Sequence, residues 1–271
     1  MNKSVIVGNY KLNTMIGSGG FGKVYACSHI LNKKMYALKL DDKSNTIKYE
    51  ASILKYLNKV PNVIKLQHYG TYNNKQYMVM DLHGLTLEEH LLTNNVSKME
   101  KINYSLQILE ILKTIHQKGI LHRDIKPENF LMSMDGSKII LIDFGMAKIY
   151  LNSDKSHKPF KKTGDIIGSL HYCSINSHEC FELSRRDDIA SFVYVSMFMF
   201  QKTLPWEKTN DVHRKNEMIK LKKKHLLKMD PVDNIFKKHI HILNYAYNLD
   251  YDAKPNYSLI EIHINNIVEN I

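Results

Sequence analysis

Residues 121–129 read Leu-His-Arg-Asp-Ile-Lys-Pro-Glu-Asn, and residues 141–145 read Leu-Ile-Asp-Phe-Gly. Between them lie two short apolar runs, Phe130–Met132 and 138–142, separated by Asp135-Gly136, the signature of a tight turn between strands. Outward from this centre the chain changes character. The first eighty or so residues are strand-rich, with β-branched and aromatic segments near 10–16, 23–30, 34–40 and 75–81. Asn73-Asn74 joins the last of these to a run over 63–72 as a hairpin. Residues 44–59 carry Ile47, Ala51, Leu54 and Leu57 at helical spacing, and Pro61 closes that helix. After Gly84 the pattern turns helical: 98–118 has an apolar stripe too broad for a surface helix, and Ile189–Phe200 is apolar almost throughout. The order predicts an α+β fold, with a small β-rich lobe at about 1–83 and a larger helical lobe at about 84–271. A crevice is expected between them.

At 271 residues, 44% hydrophobic and 24% charged, the chain has an ordinary globular composition and is long enough for a sizeable core. Its three cysteines, Cys27, Cys173 and Cys180, form no CxxC pair, which argues against a disulfide framework or a zinc site. The N-terminus has no signal-peptide pattern. The run 189–200 is shorter than the roughly 20 residues that span a bilayer, so no membrane insertion is expected. A formal charge of +11 suits nucleic acid, an acidic surface or acidic protein substrates, but abundant Lys, Asn and Ile throughout equally express a biased composition. The densest basic cluster, Lys220-Leu-Lys-Lys-Lys-His225, reads as a solvated helix face, with nuclear targeting or a substrate-facing patch as alternatives.

Gly17-Ser-Gly-Gly-Phe-Gly-Lys-Val24 fits G-x-G-x-x-G-x-V between two strands. Glycines at 17, 19 and 22 let backbone approach phosphate oxygens and offer N–H groups to them. A dinucleotide-binding fold would follow this loop with a helix; the strand-like Val24-Tyr-Ala-Cys-Ser argues against it. Lys39 ends the next strand and Glu50 sits in the following helix. An ion pair between them would hold the ammonium toward nucleotide phosphates.

With glycine loop, Ala-Leu-Lys, His-Arg-Asp and Asp-Phe-Gly in this order, the chain resembles the eukaryotic-type protein kinases. The resemblance implies a bilobal kinase-like fold in a single catalytic domain over 1–271, with ATP and Mg²⁺ as cofactors. Asp124 would orient the substrate hydroxyl and accept its proton. Lys126 would offset γ-phosphate charge and Lys39 would hold the α- and β-phosphates. Asn129 and Asp143 would offer oxygens to Mg²⁺, a hard cation. Met80 would back the adenine pocket, with Asp81, Leu82 and His83 as the hinge. Ile16, Val24, Ala37, Leu131 and Ile142 would be its apolar walls. None of the catalytic positions is substituted, which disfavours the alternative of a kinase-fold scaffold without turnover.

A finer resemblance is carried by Gly168-Ser-Leu-His-Tyr172, Ser174-Ile-Asn-Ser-His178, Ser184-Arg-Arg-Asp-Asp188 and Leu204-Pro-Trp206. These are similar to the casein kinase 1 family, whose members carry Ser-Ile-Asn-Thr/Ser-His where other kinases have Ala-Pro-Glu. It implies a serine/threonine kinase acting on acidic or phosphate-primed protein substrates. Asp188 would brace the catalytic loop, and Arg185 and Arg186 would tie down the segment replacing Ala-Pro-Glu. The family's substrate-site lysine and arginine fall here at Gly164 and His171, which weakens the case for priming; Lys161, Lys162 and Lys215 are candidates to compensate. A monomer without need of nucleic acid is expected, in an intracellular setting, cytoplasmic or nuclear. Control by a C-terminal tail or by phosphorylation at Ser153, Ser156 or Thr163 is not expected.

Overall fold

The computed structural model describes residues 5–19, 22–41, 46–207, 218–219, 221–223 and 234–267. The chain separates into two compact units, Met1–Gly84 with Ile140–Gly145, and Leu85–Ile139 with Met146–Ile271. Ile140–Gly145 joins the first unit through a parallel bridge between Val63 and Leu141, with Ile64 N–H donating to the Leu141 carbonyl at 3.0 Å.

The first unit is an antiparallel sheet of six strands. These are β1 (Ile6–Val7), β2 (Tyr10–Gly19), β3 (Gly22–His29), β4 (Met35–Leu40), β5 (Leu66–Tyr72) and β6 (Lys75–Asp81), in the order β1-β2-β3-β4-β6-β5. Asn73 and Asn74 both take left-handed backbone angles, as the tight β5–β6 turn demands. Val7, Tyr10, Cys27, Tyr36, Leu38, Tyr77 and Val79 pack as one core cluster. Helix α1 (Thr46–Tyr56) ends before the predicted 59, while the predicted start at 44 lies outside the described residues; it packs against β5 and β6 and buries Ile47, Ala51, Ile53 and Leu54.

The second unit is mostly helical. Helix α2 (Leu87–Thr93) and helix α3 (Lys98–Gln117) each open on a capping box, in which Thr86 and Ser97 exchange hydrogen bonds with Glu89 and Glu100. Ahead of residues 122–129 comes β7 (Ile120–Leu121), which pairs antiparallel with β10 (Lys148–Ile149). Pro127–Asn129 form a 3₁₀ turn leading into β8 (Phe130–Met132), and β9 (Ile139–Leu141) follows the Asp135-Gly136 turn. A four-residue helix α4 (Ile175–His178) precedes α5 (Arg185–Gln201), whose residues from Asp187 to Met199 are all buried. That explains its lack of a polar face. It packs on α3 and on α6 (Asn234–Tyr247), and α7 (Tyr257–Asn265) rests on α3. Even the polar Ser196 of α5 is satisfied, by Ser105 at 3.2 Å and His239 at 2.8 Å. Among the described residues no helix is long and apolar enough to cross a membrane.

Candidate active site

The first unit holds one group of the candidate residues. Lys39, 6% exposed on β4, places its Nζ 2.8 Å from Glu50 Oε2 on α1 and 3.2 Å from Asp143 Oδ1. Burial acts to lower the Lys39 pKa, but the two carboxylates outweigh it and hold the ammonium above its ordinary value. Burial pushes Glu50 above the usual carboxylate range, against the pull of Lys39. The other oxygen of Glu50 accepts the Phe144 N–H at 3.1 Å, so one carboxylate orders both the lysine and the segment after Asp143. Asp143 itself sits at φ +59°, a sparsely populated conformation for a side-chain-bearing residue.

The glycines divide into two kinds. A Cβ on Gly17 would rest 3.7 Å from Val24, and one on Gly19 would meet nothing within 4 Å. The fold therefore does not require glycine at either, and a bare backbone there suits approach by phosphate. Gly22 is different, because at φ +114° a side chain would collide with the Leu40 carbonyl. Gly20 and Phe21 lie outside the described residues. On the strands, Val24 pairs with Lys39 and Gly17, and Ala37 pairs with Met80. Ile142 is half-buried in the same unit, and Ile16 is 52% exposed. Asp81, Leu82 and His83 follow at the end of β6, half-buried, with Asp81 accepting from Gln67 at 2.8 Å.

The second unit holds the other group. Asp124, 7% exposed, has both oxygens engaged. Oδ1 accepts from Ser169 N at 2.9 Å and Ser169 Oγ at 2.8 Å. Oδ2 lies 3.1 Å from Asn129 Nδ2 and 3.2 Å from Lys126 Nζ. Asn129 Nδ2 also donates to the Asp124 carbonyl at 2.7 Å, which leaves its amide oxygen as the acceptor suited to a cation. Beneath the loop, Asp188 accepts from His122 N and Arg123 N, both at 2.8 Å, and meets His116 Nε2 at 3.0 Å. Burial would raise the Asp188 pKa, yet the His116 hydrogen bond and the two nearby histidines hold it low. Leu131, half-buried, belongs to this unit.

The segment 168–188 explains why Ser174–His178 stands where it does. Ser174 Oγ and Asn176 Nδ2 donate to one oxygen of Asp187 at 2.7 and 2.8 Å, and Ser184 N donates to the other at 2.8 Å. Ser177 Oγ donates to the Ile167 carbonyl at 2.6 Å and accepts from Ile167 N. Asp187 therefore secures the segment, which corrects the expectation for the two arginines. Arg185 reaches Tyr150 and the Asp252 carbonyl, and Arg186 donates to the Leu249 carbonyl at 2.6 Å. They chiefly fasten the chain after α6, with Arg186 Nε also 4.0 Å from Asp187 Oδ2. One residue of the basic cluster is corrected too: Lys222 is 1% exposed and holds the segment's carbonyls, so it is no solvated residue, whereas Lys223 is exposed as expected. Arg214, Lys215, Lys220, Lys224 and His225 lie outside the described residues. His171 is half-buried, with its carbonyl accepting from Trp206 Nε1 at 2.8 Å; Lys161 and Lys162 are exposed.

Sequence reasoning missed Ser169, Asp187 and Lys222 as working parts. Ser169 follows Gly168, where a Cβ would fall 2.5 Å from the Arg123 carbonyl at φ +90°. That glycine permits the loop's close approach to Arg123 and Asp124, and it is the signal the sequence offers. The sequence matches the protein kinase domain family over residues 10–262. The chain belongs to that family. A probable serine/threonine-protein kinase of Dictyostelium discoideum is 32% identical to this kinase domain over 276 residues, covering 97% of the chain and 54% of the relative. The chain thus spans about half the length of that relative.

Proposed function

We propose that the chain is an active serine/threonine protein kinase that transfers the γ-phosphoryl group of ATP, with Mg²⁺, to protein hydroxyls. The observation that supports this most is the carboxylate of Asp124, buried and held by Ser169, Asn129 and Lys126. Such fixed geometry suits phosphoryl transfer, where positioning and charge neutralisation do most of the work. Asp124 orients the attacking hydroxyl and takes its proton. Lys126 offsets charge on the transferred group, and Lys39, kept cationic by Glu50, binds the nucleotide phosphates.

Asn129 and Asp143 fit a role as magnesium ligands. Magnesium needs only one or two carboxylates when phosphates complete its shell, and among the described residues there is no carboxylate, cysteine and histidine cage for another metal. When bound, the ion would neutralise phosphate charge. Ala37, Val24 and Met80, brought together by strand pairing, would line the adenine site.

We infer further that the specificity is casein kinase 1-like, on the strength of Gly168–Tyr172, Ser174–His178 and Ser184–Asp188, with reduced dependence on priming. The direct experiment is turnover of Mg-ATP on an acidic, casein-like protein, with phosphoamino-acid analysis of the product. Absence of phosphoserine and phosphothreonine would sink the proposal.

A further inference from the structure

Lys222 is the least expected side chain in the second unit. Its ammonium has three N–H donors, and three acceptors meet them: the Leu170 carbonyl at 3.0 Å, the Cys173 carbonyl at 2.7 Å and His178 Nε2 at 3.0 Å. The rings of Tyr194 and Trp206 lie 4.9 and 5.4 Å from the same nitrogen. No described carboxylate pairs with it. Burying a charge without a counter-ion is costly, and carbonyl and ring dipoles offset only part of that cost. A methionine would fill similar space with no charge to bury. What the ammonium does that an apolar chain could not is draw two backbone carbonyls to one point.

Those carbonyls flank a tight loop. Tyr172 N and Cys173 N both donate to the Ser169 carbonyl, at 3.0 and 2.7 Å, and Trp206 Nε1 donates to the His171 carbonyl. The loop's first residue, Ser169, delivers two hydrogen bonds to Asp124 Oδ1. Lys222 is thus bonded to the loop that carries Ser169, without touching the carboxylate itself.

We propose that Lys222 is a positioning residue for phosphoryl transfer, gathering the Leu170 and Cys173 carbonyls so that Ser169 is held against Asp124. The proposal rests on the kinase reading above. Its test is a double-mutant cycle on the recombinant chain, comparing wild type, Lys222→Met, Ser169→Ala and the double variant in peptide phosphorylation with Mg-ATP. Each single variant is expected to lower kcat by about 10- to 100-fold, the scale of a small misplacement of a reacting group. KM for ATP should stay within about twofold, since only Asp124's aim is disturbed. The double variant should be no slower than the slower single one. Effects that multiply, or a Lys222→Met enzyme with wild-type kcat, would overturn the proposal. If Lys222→Met does not fold, Lys222→Gln takes its place in the cycle and the same comparison decides. An inactive wild type would instead defeat the kinase reading, an outcome distinct from multiplying effects in an active enzyme.

Discussion

Asp124 illustrates how much of this chemistry is decided at single residues. Four donors converge on its two oxygens, so the carboxylate is aimed before any substrate arrives. Asp124→Asn should lower kcat by roughly 10²–10⁴-fold, the range for a positioned acid–base group, while circular dichroism still reports a folded protein. Asp143→Asn should instead raise the magnesium concentration needed for half-maximal rate. His171 is the second informative residue. Under the casein kinase 1 reading it stands where relatives carry arginine, and an imidazole has neither the planar fork nor the permanent charge that grips phosphate. His171→Arg should therefore raise kcat/KM for a peptide with phosphoserine three residues before the target, relative to the alanine peptide. No change in that ratio would place phosphate recognition elsewhere, with Lys161 and Lys162 the first to examine.

Among the elements, α4 carries the most unusual burden. It is a single turn, too short to stand alone, and its N-cap Ser174 and its Asn176 both lean on Asp187 of α5. Asp187 also caps its own helix through Ser184 N. Asn at 187 would set an amide N–H₂ against one of these donors. Asp187→Asn should cost about 1–3 kcal/mol, the penalty for an unsatisfied buried donor, measurable by urea denaturation. The segment before α4 is already held without phosphate. Lys148 pairs with the buried Glu182 at 2.8 Å, and Thr163 Oγ1 already donates to the Asp165 and Cys180 carbonyls. Phosphatase-treated recombinant protein, checked by mass spectrometry, should accordingly keep its activity. Activity that vanishes and returns on phosphorylation of Ser153, Ser156 or Thr163 would show that these contacts do not suffice.

For the molecule as a whole, stability should carry the mark of its buried lysine. Burial pushes Lys222 down to about 8, with nearby Cys173 acting the other way, against an ordinary value of 10.5 in the unfolded chain. Between those two values the unfolded state binds more protons than the folded one, so stability from this site rises with pH there. Below the lower value the full cost of the buried charge is present. Relative to Lys222→Met, the wild type should gain stability from about pH 8 to about pH 10.5 in urea titrations. A difference that stays flat over that range would mean the ammonium is better compensated than its surroundings indicate.

Much of this protein can be read along the chain. The strands at 23–29, 35–40 and 75–81, the long buried α5, the Lys39–Glu50 pair and the catalytic loop all follow from period, turn residues and local motif, because each depends on near neighbours or a fixed spacing. What periodicity could not reveal are partners distant in sequence that meet only after folding. Lys222 sits in a lysine run that looks solvated, and only the Leu170 and Cys173 carbonyls, with the rings of Tyr194 and Trp206, make it a core residue. The same holds for Ser169 on Asp124 and Asp187 on Ser174. A charge pattern reports how a residue would behave in water; whether it meets water is decided by the elements that pack over it.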